Sequence, residues 1–323
     1  MPAVIGIVSL ALSWVAARLL VPCLHREGIC GRDLHKPGRP EVAEMGGLAL
    51  LLGFSGAVLV GVAMVSFFHV FPGVDLVVLL AGLTTVLLSG LIGSIDDLLG
   101  MRQEVKAFLP ALAAIPLMAI RVGHTRMMIP YAGEVEFWIF YPLLLVPVGV
   151  TVAANATNML AGYNGLELGL GILEMSALSV IAAFLGQTTS LIILLSGLGA
   201  LLGLLYFNWY PARTFVGDVG TLSIGAIVAT AVIIGGYEVA GVIVFIPHAL
   251  DFLLKAAHRF PTTGWGGELH DDGRLRCPKH GPVSLPQLVM RLTGGIHERS
   301  LVLLLMGIEA LFGILAIALY VWW

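Results

Sequence analysis

Charge is what this sequence has least of. Only 11% of its 323 residues are Asp, Glu, Lys or Arg, while 58% are hydrophobic. Soluble domains carry about a quarter charged residues, so a mean hydropathy of +0.97 excludes an ordinary water-soluble globular protein. Cysteine is scarce as well. Cys23, Cys30 and Cys277 form no CxxC pair and are odd in number, which leaves no basis for a disulfide framework. A net charge of −3 offers no basic excess for nucleic acid, which is excluded as a partner. No basic residue precedes the first apolar run and Arg18 lies near its end, so the run resembles an uncleaved anchor more than a removable leader.

What the chain has in abundance is apolar runs of about 20 residues, each long enough to cross roughly 30 Å of hydrocarbon as a helix. Ten spans are expected, near 2–22, 46–68, 74–95, 106–121, 137–156, 166–186, 188–206, 219–236, 238–257 and 300–321. The fold class expected is therefore all-α, a single polytopic membrane bundle over 1–323. The fourth span is short and carries Pro110 and Pro116, so a kink is expected there. Numbered in order, the odd loops and their flanks hold fifteen Lys and Arg residues. The even loops hold only Arg121 and Arg126. The positive-inside rule then puts the odd loops in the cytoplasm and both termini on the outer face. The largest polar segment, 258–299, is too short for a core of its own and is expected to fold back over the membrane domain and complete the active site.

Polar side chains gather at the cytoplasmic ends of the spans. Asp96 and Asp97 close the third; Asn155, Asn158 and Asn164 lie in the run from Asn155 to Leu166; Asp218 follows Phe215, Val216 and Gly217. Lys36, Arg39, Lys106 and Lys279 accompany them on the same side. Oxygen ligands beside basic groups suit Mg²⁺ and a diphosphate. Each element alone has a plain structural reading. An Asp pair can be a solvated helix end, an Asn run can satisfy backbone freed where a helix breaks, and Gly-Asp is a usual helix start. Lys36 and Arg39 would pass as ordinary positive-inside charges. Joint occurrence, in order and on one membrane face, is what points to phosphoryl chemistry.

At these residues the chain resembles the polyprenyl-phosphate N-acetylhexosamine-1-phosphate transferases, most closely the dolichyl-phosphate N-acetylglucosamine-phosphotransferase branch. The resemblance rests on Gly31, Asp33, Leu34, Lys36 and Arg39 followed by Glu44, on Asp96-Asp97 with Lys106, and on the Asn155-to-Leu166 run. Phe215-Val216-Gly217-Asp218 and Cys277-Pro278-Lys279-His280 complete it. The branch assignment rests on Ala161, where bacterial peptidoglycan-lipid enzymes usually have Asp, and on the Cys-Pro-Lys-His run. One departure is Gly281, where that branch often has an Arg at the pyrophosphate; Lys279, Arg276 and Arg274 remain as candidates to supply that charge.

The resemblance implies transfer of N-acetylglucosamine 1-phosphate, or a related sugar phosphate, from a UDP-sugar to polyprenyl or dolichyl phosphate. It implies Asn158 and Asp218 as ligands of Mg²⁺, for which Mn²⁺ can substitute. Asp96, Asp97 and Lys106 would be catalytic, with Asp96 assisting deprotonation of the lipid phosphate and Lys106 holding a phosphate. Phe215 would stack on uracil, with Gly162 and Asn164 beside the nucleoside and Leu34 and Glu44 completing that pocket, while Asn155, Lys36 and Arg39 would also bind substrate. Lys279 and His280 would meet the diphosphate and the acetamido group. A homodimer is left open, as are another UDP-sugar and undecaprenyl phosphate. Two other classes have less support. A secondary transporter could use Glu174, Asp251 and Glu309 as intramembrane acids, but no internal repeat supports it. A zinc site on Cys277, His280 and His270 shows only one compact pair.

Overall fold

The computed structural model describes residues 2–71, 73–122, 125–129, 133–261 and 263–322. It is a helical bundle with three two-stranded ribbons. Helix α1 (Pro2–Arg26) leads into the ribbon β1 (Cys30–Arg32) and β2 (Glu41–Ala43); α2 (Gly47–Phe68) and α3 (Leu76–Leu99) then form an antiparallel pair. Three short helices follow: α4 (Gln103–Phe108), α5 (Pro110–Ala113) and α6 (Ile115–Ala119). The ribbon β3 (Arg126–Ile129) and β4 (Gly133–Glu136) precedes a π-helical turn at Tyr141–Leu145, which runs into α7 (Val146–Met159). Then come α8 (Leu166–Phe184), α9 (Thr188–Asn208), α10 (Gly217–Gly235), and the short pair α11 (Glu238–Val244) and α12 (Ile246–Ala257). The ribbon β5 (Glu268–Leu269) and β6 (Leu275–Arg276), helix α13 (Leu285–Thr293) and helix α14 (Glu298–Trp322) close the chain.

Among the described residues, eight helical segments are long and apolar enough to cross a membrane, or nine if α11 and α12 count as one span bent by 60°. The protein is a multi-pass integral membrane protein. Against the ten spans expected, two depart from a straight helix. The fourth, near 106–121, is broken into α4, α5 and α6, with Pro110 and Pro116 at the starts of the latter two. Proline lacks an N–H and clashes with the preceding turn, so a helix restarts at each one. This broken segment still carries the chain from one end of the bundle to the other, because α3 and α7 run in the same direction. The ninth bends at Phe245, with Pro247 in the first turn of α12.

Helices in a bilayer gain little from hiding apolar surface from lipid, so they associate where small residues let backbones approach. A Cβ on Gly199 of α9 would lie 2.1 Å from the Gly6 carbonyl oxygen of α1. Along the same seam Ser9 and Ser13 donate to the carbonyls of Ser196 and Ala200 at 2.5 and 2.8 Å. Helix α10 is apolar all round, the pattern of a wholly enclosed helix. It is packed by α2, α3, α7 and α9, and glycine makes the closest contacts. A Cβ on Gly93 of α3 would sit 2.4 Å from the Asp218 carbonyl oxygen. The start of α10 is thus the bundle's hub, and it is where Asp218 lies.

Candidate phosphoryl-transfer site

The ends of α3, α7 and α10 meet α4 at one end of the bundle. Asp97 of α3 reaches across to α10, where its two carboxylate oxygens accept the N–H groups of Asp218 at 2.8 Å and Val219 at 3.0 Å. The first N–H groups of a helix have no partner in their own helix, and an anion there also complements the helix dipole. Gly217 is needed at the junction, because its φ is +71° and a Cβ would lie 2.6 Å from Asp97 Oδ2. Asp97 therefore holds the carboxylate of its neighbour helix in place and has both oxygens committed.

That neighbour, Asp218, faces a cation. The Lys106 ammonium of α4 bridges Asp96 Oδ2, at 2.6 Å, and the Asp218 carboxylate. Asp96 Oδ1 accepts the Met101 N–H at 2.7 Å, which fixes the carboxylate as the chain turns from α3 into α4. Asn158 near the end of α7 donates to Asp218 Oδ1 at 2.6 Å and to Thr221 Oγ1 at 2.8 Å. Asn155, one turn earlier, donates to the Ala107 carbonyl at 3.0 Å and so pins α4 beside the site. Asp96, Asp97, Lys106, Asn158 and Asp218 thus converge, with Asn155 holding α4. Glu44 is half-buried nearby; burial and then the Asp97 carboxylate hold its carboxyl above the usual range.

A second, drier cluster sits beside the first. Lys36 Nζ lies 3.1 Å from Asp33 Oδ2 and also bonds Glu298 at the start of α14. Glu298 Oε1 accepts the Asn164 N–H at 2.8 Å, and the Asn164 side chain ties Asp33 to the Ala212 N–H. His35 stacks on Tyr163 with ring centroids 4.6 Å apart. Burial chiefly lowers the His35 pKa to about 4; Asp33 opposes this and Lys36 adds to it. Lys36 and Asn164 were expected to bind substrate. They lie buried in this network, which locks the β1–β2 segment to α8, α9 and α14.

The remaining expected residues are more dispersed. Leu34 is 60% exposed, Arg39 is exposed with φ +47°, and Phe215 is half-buried with its N–H on the Ala43 carbonyl at 2.7 Å. Gly162 has φ +100° and packs on the Trp265 indole, where a Cβ would come within 2.5 Å. Lys279 is exposed, and an His280 ring nitrogen lies 3.1 Å from the Gly264 carbonyl oxygen. Gln287 knots this loop, donating to the carbonyls of Gly264 and Gly266 and accepting the Val283 N–H.

Gly281 now has a physical reason. A Cβ there would lie 2.5 Å from Gln287 Oε1 and 2.8 Å from Cys277 Sγ, so a larger residue would have to displace both side chains. The guanidinium at that point belongs to Arg291 of α13, which donates to the Gly281 carbonyl at 3.2 Å. Of the candidates expected to replace it, Arg276 is turned to Asp272 at 2.7 Å.

Comparison with known proteins places the chain in a family. A family model described as glycosyl transferase family 4 matches residues 79–236, which hold Asp96, Asp97, Lys106, Asn158 and Asp218. A protein of Saccharolobus solfataricus is 35% identical over 316 residues, 97% of this chain and 95% of that one. It is provisionally named a UDP-N-acetylglucosamine–dolichyl-phosphate N-acetylglucosaminephosphotransferase. The chain belongs to glycosyl transferase family 4. A Dictyostelium discoideum relative with the same enzyme name is 28% identical, covering 88% of this family 4 chain and 79% of its own length. A phospho-N-acetylmuramoyl-pentapeptide-transferase of Streptococcus mutans is 28% identical over 76% of each chain.

Sequence reasoning missed several residues that the structure brings to these clusters. Thr221 lies three positions after Asp218 on one helix face, a spacing that could have marked it. Glu298 opens the last span as Asp218 opens an earlier one. Trp265 and Arg291 carried no local signal, since their neighbours lie more than a hundred residues away or across a loop.

Proposed function

We propose that this protein transfers N-acetylglucosamine 1-phosphate, or a related N-acetylhexosamine 1-phosphate, from a UDP-sugar to polyprenyl or dolichyl phosphate. The observation that carries this reading is the convergence of Asp96, Lys106, Asn158 and Asp218 at one end of an apolar bundle. A centre there, with two carboxylates and one ammonium ready for a cation and a phosphate, can meet a nucleotide from water and a lipid from the bilayer. The names of the relatives supply the substrates.

Mg²⁺ fits the residues. Two carboxylates, Asp96 and Asp218, already share one cationic neighbour in Lys106. Asn158 is hydrogen-bonded to Asp218, and rotation of its amide would turn Oδ1 to the same point. Asp218 and Asn158 would hold the ion, which when bound would neutralise the diphosphate and the charge on departing UMP. Lys106 would transfer from Asp96 to the substrate phosphate. That move frees Asp96 Oδ2 to take a proton from the lipid phosphate, since an ion-paired carboxylate is a weak base. A lipid phosphate oxygen then forms a bond to the sugar-bearing phosphorus, and the bond from that phosphorus to the UMP oxygen breaks with its electron pair leaving on UMP. The basic residues on the odd loops support a cytoplasmic site, with both termini on the outer face.

The test is product identity. Purified protein with doubly labelled UDP-N-acetylglucosamine and dolichyl phosphate should release UMP and leave both sugar and phosphate on the lipid. Release of UDP, with sugar alone transferred, would overturn the reading. Parallel arms with undecaprenyl phosphate and other UDP-sugars identify the preferred pair.

A further inference from the structure

A third cluster of ionisable side chains lies inside the bundle, away from the ends that carry the chemistry. Glu174 of α8, His248 of α12 and Glu309 of α14 are 1%, 1% and 0% exposed. Their ligating atoms all lie within 4.8 Å of one another. His248 Nδ1 is 3.5 Å from Glu174 Oε1. Among the described residues, both oxygens of Glu174, both of Glu309 and His248 Nδ1 are buried without a hydrogen-bond partner. Buried polar atoms without partners cost about 1–3 kcal/mol each, and two carboxylates facing each other in apolar surroundings repel if both are charged. The second acid–imidazole group, Asp33, His35 and Glu298, differs in that the Lys36 ammonium already lies among its acids. Among the described residues, no Lys or Arg ion pair reaches the acids of the inner cluster.

We infer that Glu174, His248 and Glu309 form a binding site for one borderline divalent transition-metal ion, of which Zn²⁺ is the natural probe. One imidazole and two carboxylates suit Zn²⁺ better than Mg²⁺, which prefers oxygen alone and sheds water reluctantly. The spacing agrees. Tetrahedral ligands about 2.1 Å from a metal are about 3.4 Å apart, and the His248–Glu174 pair is already at that distance. A dication would satisfy the orphaned atoms and offset both negative charges. It would also brace three helices. Helix α12 lies after the 60° bend, and its Asp251 accepts the Leu285 N–H of α13 at 2.7 Å while its Lys255 donates to the Met159 carbonyl beside Asn158. A metal at His248 would therefore fix the helix that supports both the cytoplasmic loop and the end of α7. This site is distinct from the Asp218 centre and serves structure.

The experiment uses the full-length protein carrying Asp218→Ala, so that the catalytic centre contributes no metal. After chelator treatment, Zn²⁺ loading and desalting in detergent, elemental analysis should find about one equivalent of zinc. Added Glu309→Gln or His248→Gln should remove it, and Zn²⁺ should raise the melting temperature only with the three side chains intact. Equal zinc in the triad variants, or none in the Asp218→Ala protein, would overturn the inference. If both added variants fail to elute as folded protein, Co²⁺ loading of the intact triad decides. An intense visible band of a tetrahedral centre supports the site, and its absence refutes it.

Discussion

Lys106→Met isolates the electrostatics of the proposed centre. The ammonium is the shared neighbour of Asp96 and Asp218, with 16% of the Lys106 side chain exposed against 6% and 25% for the two acids. Methionine keeps the length and apolar stem but leaves two carboxylates facing each other. Removing one partner of a fully buried ion pair costs about 3–5 kcal/mol. Partial exposure of this group screens part of that, so about 2–4 kcal/mol is expected, or roughly 3–6 °C in melting temperature for a chain of this size. A divalent cation changes the balance. With Lys106 the three groups sum to one negative charge; without it they sum to two, which one Mg²⁺ neutralises. Mg²⁺ should therefore stabilise the Lys106→Met variant more than the parent and close most of the gap, although turnover stays low because nothing holds the substrate phosphate. Thermal melts of both proteins in chelator and in saturating Mg²⁺ measure this. A gap unaffected by Mg²⁺ would refute a cation position at Asp218 and Asn158.

Asp97→Ala removes the acceptor of two N–H groups at the start of α10 and should cost about 1–3 kcal/mol, with turnover falling as Asp218 shifts; Asp97→Asn, which keeps one acceptor, should recover part of both in the same melts and assays. Asp96→Asn should lower kcat far more than it weakens UDP-sugar binding, because it removes a proton acceptor at nearly constant volume; near-parental kcat would transfer that role to another group. His280→Ala should narrow the preference for UDP-N-acetylglucosamine over UDP-glucose, measured as a kcat/KM ratio, and an unchanged ratio would confine His280 to its loop contact with Gly264. His35 titrates near pH 4 in the folded protein and near 6.5 when unfolded, so only the unfolded chain gains this proton between those values. Its contribution to stability is complete above about pH 6.5 and falls as pH drops toward 4; melts of parent and His35→Gln should diverge across that window, and parallel curves would exclude the effect.

The membrane class was legible in the chain because apolar runs and loop charge are local properties. The gathering of Asp96, Asp97, Lys106, Asn158 and Asp218 at one end of the bundle was legible too, since each stands where a run of apolar residues gives way to polar ones. Whether a polar residue faces substrate or locks the scaffold was not legible. Lys36 has a sequence context much like that of Lys106, yet it lies buried between Asp33 and Glu298, whose carboxylates already occupy it. Glu298 is 262 residues further along the chain, and no local pattern announces such a pairing.

Sequence by itself determined the order of the apolar segments, where prolines break them and which ends carry charge, because hydropathy and proline act within a few residues of themselves. Only the tertiary structure decided that Asp97 holds α10 while Asp218 faces a cation. The same holds for Gly281, which leaves its place to Arg291, and for Glu174, His248 and Glu309, which meet in the interior. These outcomes depend on where helices far apart in the chain touch. In a bilayer that is decided by backbone approach at residues such as Gly93 and Gly199, a geometry that composition cannot express.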